Sequence, residues 1–100
     1  MTVAYSPRGL RDLNTLLSYV DAQDPQTAER MAKAIQASLK RLALQPRLGS
    51  ATSKPNVYRA PVKRYRIAIF YRTRRGQPGI QVVRIVRGTR VKNLNKIPRG

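Results

Sequence analysis

The sequence has no cysteine and no histidine, and only four of its 100 residues are acidic. Without cysteine there is no disulfide framework, no thiol nucleophile and no cysteine-based zinc site. Without histidine the commonest general base and metal ligand is missing. The acids Asp12, Asp21, Asp24 and Glu29 all fall in residues 1–50. No carboxylate pair, His/acid set or two-metal site can therefore be built from the second half of the chain. No apolar run approaches the ~20 residues that cross a bilayer, and Met1 to Leu10 lacks the charged lead and apolar core of a secretory signal. The expectation is a soluble cytoplasmic protein with no cofactor, no metal and no membrane association.

Positive charge is what the sequence has in excess. The formal net charge is +17, and residues 51–100 carry fourteen bases with no acid. Such a half-chain repels itself unless it meets a polyanion, so nucleic acid or an acidic protein is the expected partner. Binding of that kind weakens with salt as neutralised phosphates release counterions. A chain of 100 residues is ordinarily one domain.

The pattern changes near the middle of the chain. Ser6-Pro7 is a helix start, with a capping hydroxyl followed by a proline where a missing N–H does no harm. Leu10, Leu13, Leu16, Leu17 and Val20 then form one apolar stripe. Asp24-Pro25 repeats the start signal. Ala28, Met31, Ala32, Ile35, Leu39 and Leu42 make a second stripe, which Gln45-Pro46 stops. The short link predicts an antiparallel αα-hairpin. Residues 47–56 read as a loop. From Val57 the period becomes two: a short strand to Pro61, then a strand in which Tyr65, Ile67, Ile69 and Tyr71 alternate with Arg64, Arg66, Ala68, Phe70 and Arg72. Arg74 to Gly79 is a hairpin loop, and Ile80 to Arg87 returns. Thr2 to Tyr5 can add an edge strand. The fold class is α+β: a short N-terminal strand and an antiparallel αα-hairpin packed on a small antiparallel β-sheet. Tyr65 and Tyr71 are expected on the helix-facing side with hydroxyls reaching the edge, while the place of Tyr58 stays open.

Four segments resemble the RelE/ParE toxins of type II toxin–antitoxin systems, and the ParE branch more than the RelE branch. Ser6-Pro7-Arg8-Gly9-Leu10-Arg11-Asp12-Leu13 is similar to the opening of ParE-type first helices. Arg41-Leu42-Ala43-Leu44-Gln45-Pro46-Arg47-Leu48-Gly49 resembles the close of their second helix. Arg64-Tyr65-Arg66-Ile67-Ala68-Ile69-Phe70-Tyr71-Arg72 resembles their central strand. Arg84-Ile85-Val86-Arg87-Gly88-Thr89-Arg90 resembles their last strand, with Arg87 where histidine is common. The resemblance implies a toxin domain over 1–91 with a basic tail at 92–100. The tail is either a target-binding element or disordered.

Two mechanisms are implied by that superfamily. RelE-type members cut messenger RNA on the ribosome, whereas ParE-type members bind and poison DNA gyrase without a known catalytic centre. Arg66, Arg90, Arg59 and Lys54 correspond to RelE-like catalytic positions, where arginine stabilises phosphate charge. The tyrosine that RelE-type enzymes place after the last arginine is missing, since Val91 to Pro98 contains none. The expectation is therefore a ParE-like gyrase inhibitor, neutralised by a cognate acidic antitoxin that folds on it. Tyr58, Arg59, Arg64, Arg66, Arg72, Arg84, Arg87 and Arg90 are candidates for antitoxin or target binding. A RelE-like ribosome-dependent nuclease is the alternative. A small basic ribosomal or nucleic-acid-binding protein is a third reading, which a neighbouring reading frame for a small acidic protein would disfavour.

Overall fold

A computed structural model describes residues 2–88 of the chain. The order of elements is β1 (Val3–Tyr5), α1 (Pro7–Gln23), α2 (Pro25–Leu44), β2 (Ser50–Ala51), β3 (Val57–Val62), β4 (Ile67–Arg74) and β5 (Gln77–Arg87), with 3-10 turns at Pro46–Leu48 and Lys63–Tyr65.

Both helices start where the capping residues place them. Ser6 is extended, its Oγ accepts from the Gly9 N–H at 3.0 Å, and Pro7 opens α1. Asp24 accepts from the Thr27 N–H at 3.2 Å and opens α2. Its own N–H closes α1 on the Val20 carbonyl, so one residue serves as both caps and links the hairpin. The stripe of α2 buries Ala28, Met31, Ile35, Leu39 and Leu42 against Ile67, Ile69, Tyr71, Ile80, Val82 and Ile85 of the sheet. Each large member of that set contributes roughly 1.5–3 kcal/mol through removal from water. The stripe of α1 is less covered: Leu13, Leu16 and Leu17 pack on the core half-buried, and only Gly9 and Val20 are fully buried. Gly9 allows the close approach, since a Cβ there would lie 2.5 Å from the Val82 carbonyl oxygen.

The strands form one sheet in the order β1-β5-β4-β3-β2. β1 is the expected edge strand, but it pairs parallel with β5, Val3 opposite Ile80 and Tyr5 opposite Val82, so the sheet is mixed rather than wholly antiparallel. The structure differs from the sequence reading at four further places. Arg64 and Tyr65 lie in a 3-10 turn, and Arg66 takes the left-handed conformation at φ 54, so β4 begins only at Ile67. The β4–β5 turn needs only Arg75 and Gly76, and Pro78 and Gly79 belong to β5. β3 runs through Pro61, which pairs with Ala68 where β2 no longer flanks the strand, so the missing N–H faces an open edge. Within residues 47–56, β2 pairs Ser50 and Ala51 with Arg59 and Tyr58.

The alternation in β4 also departs from apolar-in, polar-out. Ile67 to Tyr71 are all buried. Ala68 and Phe70 form a second cluster with Val57, Val83 and Val86 on the face away from the helices.

Candidate functional site

Three surfaces bring together side chains capable of recognition. The first lies where α2 ends. Pro46 directs the chain into a 3-10 turn that passes over the sheet, and Tyr71 holds it there. The Tyr71 hydroxyl donates to the Pro46 carbonyl at 2.6 Å and accepts from the Gly49 N–H at 2.9 Å. A Cβ on Gly49 would collide with that hydroxyl, so glycine fits the crossing. Burial pushes the Tyr71 phenol above its ordinary pKa, and the Gly49 N–H opposes the shift only in part. Beside it is an open cavity of about 510 Å³ lined by Gln45, Pro46, Arg47, Leu48, Tyr58 and Thr73, with Asn56 at its rim. Tyr58 stands half-buried in its wall, its ring 5.8 Å from that of Tyr71. Asn56, at φ 62, exchanges hydrogen bonds with Thr73, which fixes that wall. Leu48 of the lining and Leu44 at the end of α2 have more than half of their surface exposed. The result is an open pocket in which Pro46, Leu48 and Tyr58 offer apolar surface beside one basic side chain, Arg47, an arrangement suited to a bulky apolar side chain of a partner.

The second surface is a groove between α1 and the last residues of β5. β1 covers β5 only as far as Val82, so the outer edge beyond it needs other partners. The Ser6 hydroxyl donates to the Val83 carbonyl at 3.3 Å. The Asp12 carboxylate accepts from Arg84 Nε at 2.7 Å, from the Ile85 N–H at 3.1 Å and from Arg8 Nε at 3.4 Å. The Asp12 and Arg84 side chains are only 13% and 14% exposed, so this pair is desolvated and ties α1 to the edge. Around it a groove of about 450 Å³ is lined by Arg8, Arg11, Asp12, Arg84 and Arg87 over Leu16, Ile85 and Val86.

The third surface is the sheet face away from the helices, where Arg59 and Arg72 flank Phe70. Arg59 lies opposite Phe70, and its buried Nε has no hydrogen-bond partner among the described residues. Arg72 is exposed and its Nε donates to Gln81 at 2.7 Å.

The sequence candidates thus separate. Tyr58 lines the pocket, Arg84 and Arg87 line the groove, and Arg59 and Arg72 share the third face. Arg64 is exposed with its guanidinium 5.7 Å from the Tyr65 ring, and Arg66 is exposed at the end of the sheet where its carbonyl accepts from the Gly88 N–H. Lys54 is exposed in the turn that leads into Val57. Lys54 and Arg66 therefore sit at opposite ends of β3, about 17 Å apart along a strand of this length. Arg90 and the tail at 92–100 lie outside the described residues. Sequence reasoning missed Asp12, Arg8 and Arg11, although the four-residue spacing of Arg8 and Asp12 on one helix face was visible. It also missed Pro46 and Leu48, which only the crossing over Tyr71 brings to Tyr58. Among the described residues no group of His, Cys, Asp or Glu could hold a metal ion, and no helix is long and apolar enough to cross a membrane.

A family model described as ParE toxin of type II toxin-antitoxin system, parDE, matches residues 3–91. Among solved structures, the chain is similar to one in the chromosomal ParDE TA system from P. aeruginosa. The TM-score is 0.70 at 20% identity, over 87% of this chain and 95% of that one, a likeness of fold. No curated protein matches the sequence.

Proposed function

Since the chain belongs to the ParE toxin family of type II toxin–antitoxin systems, we propose that it acts in the cytoplasm by binding proteins, with DNA gyrase as its target and an acidic antitoxin as its neutraliser. The observation that carries a binding mode of action is the separation of two of the RNA-cleaving candidates. Lys54 and Arg66 stand at opposite ends of β3, and Asp12, the acid nearest the sheet, has its oxygens occupied by three donors. An acid–base relay needs its groups within hydrogen-bond reach of one substrate, and that spacing disfavours it.

The antitoxin assignment is supported by the partner in the P. aeruginosa ParDE system and by the chemistry of the Tyr58 pocket. An acidic segment carrying a large apolar residue would place that residue between Pro46, Leu48 and Tyr58 and its carboxylates near Arg47. Leu48→Glu should weaken the antitoxin complex at least tenfold while leaving the unfolding midpoint within a few degrees. An unchanged affinity would move the antitoxin to another surface.

The mode of action is read by pulse-labelling after controlled expression of the chain alone in a bacterium. Continued amino-acid incorporation with arrested DNA synthesis agrees with a gyrase target. Prompt collapse of incorporation would instead favour a ribosome-dependent nuclease, with Arg66 and Arg90 the first positions to substitute.

A further inference from the structure

The groove between α1 and β5 holds more positive charge than its structural task explains. Arg84 of β5 ties α1 to the sheet edge through Asp12, and Arg8 pairs with the same carboxylate from within the helix. Arg11 and Arg87 also line the groove and are exposed, and their side chains have no hydrogen bond or ion pair among the described residues. Four arginines thus line about 450 Å³ with a single carboxylate among them. Each repels the others, an arrangement that an anionic ligand would relieve. We propose that this groove binds the sugar–phosphate backbone of nucleic acid.

The available groups select that ligand over an acidic peptide. A peptide strand adding to β5 would need the Ile85 N–H, which the Asp12 carboxylate already occupies, and the Val83 carbonyl, which Ser6 already holds. What the groove offers a ligand is guanidinium N–H donors on both walls. A phosphodiester is an acceptor-only group whose paired oxygens match the guanidinium fork and ask for no donor in return. The segment from Arg8 to Thr15 on α1 runs about 10 Å at 1.5 Å per residue. That length suits about three nucleotides at 3.4 Å each. Leu16, Ile85 and Val86 give the floor an apolar strip for sugar or base faces. Thr15 is the other polar side chain in the lining, and contacts from the arginines to phosphate position a strand without reading its sequence. The inference stands apart from the gyrase and antitoxin assignments and uses neither protein in its test.

Because a chain of formal charge +17 attracts any polyanion, the test compares variants of equal charge. The double variant R11Q/R87Q removes the two groove arginines that Asp12 does not hold. The control K40Q/R75Q removes two exposed charges from the end of α2 and the hairpin tip. Binding of fluorescein-labelled 20-nucleotide single-stranded DNA, single-stranded RNA and 20-base-pair duplex is followed by anisotropy across a salt series. The groove variant should lose at least tenfold in affinity for one or more of these probes, and the control less than threefold. The slope of log affinity against log salt should fall by about 1.5 in the groove variant, as expected for two lost phosphate contacts. The three probes show whether the backbone is taken from a single strand or a duplex. Equal losses in both variants would overturn the proposal, because attraction would then follow net charge alone. It would also be overturned if a 20-residue polyglutamate bound more tightly than every nucleic acid with the same dependence on Arg11 and Arg87. Unfolding midpoints of both variants are measured alongside, so that a folding defect is not read as lost binding.

Discussion

Removing the Asp12 carboxylate should destabilise this fold by about 3 kcal/mol through lost pairing. In Asp12→Ala the Arg84 guanidinium, 14% exposed, keeps its charge and loses its 2.7 Å partner, while the Ile85 N–H loses its acceptor. Breaking a buried pair by deleting one member costs about 3–5 kcal/mol. The lower end applies because both side chains retain some contact with water, so the working figure is about 3 kcal/mol. For a domain of this size that corresponds to a fall of about 12–24 °C in Tm. Urea unfolding followed by far-ultraviolet circular dichroism gives the test, with a lower midpoint at an unchanged slope. Much of the loss comes from a mostly buried charge that no longer meets the carboxylate rather than from the missing attraction. The double variant D12A/R84M should therefore be more stable than D12A alone by about 1 kcal/mol or more. A D12A protein within 1 kcal/mol of the parent, or a double variant no better than the single one, would refute the latch.

Tyr71→Phe leaves the Gly49 N–H and Pro46 carbonyl without their partner and should destabilise the fold by about 1–3 kcal/mol, measured by the same unfolding experiment. The Tyr71 phenol has its pKa raised in the folded state. Its contribution is therefore intact below the unfolded tyrosine value and lost as pH rises through the folded one, so above about pH 10 the parent should lose stability faster than Y71F. Asp24 shows the opposite sign. The Thr27 hydroxyl and N–H hold its carboxyl below the usual aspartate range. Its stabilising effect is present above the unfolded pKa and disappears as pH falls through the folded value, so Asp24→Asn should flatten the acid limb of the stability curve. Gly9→Ala drives a methyl into the Val82 carbonyl and should cost about 1–3 kcal/mol, read as a lower Tm.

What could be read in the sequence was local. The two helix starts, Ser6-Pro7 and Asp24-Pro25, are written in four residues, and the structure uses both side chains as caps. The apolar stripe of α2 predicted its buried face almost residue by residue. The parallel pairing of β1 was not readable, because it joins Val3 to Ile80 and nothing near either residue specifies direction. Arg64-Tyr65-Arg66 continued a period of two into a segment that the chain uses to turn. A left-handed arginine leaves no mark in a hydropathy pattern. The candidate arginines were found by type, but their grouping was not. Asp12 meets Arg84 across 72 positions of sequence, and the pocket at Tyr58 depends on a hydroxyl of Tyr71 reaching the turn after α2.

The central claim is that this ParE-family chain acts by binding, with gyrase as the bound target. The most direct measurement adds the purified chain to purified DNA gyrase, relaxed plasmid and ATP, and follows supercoiling and cleaved DNA on a gel. The account predicts that supercoiling falls in proportion to added chain and is restored by the acidic antitoxin. Undisturbed supercoiling, together with messenger RNA cut in the same preparation only when ribosomes are present, would contradict it.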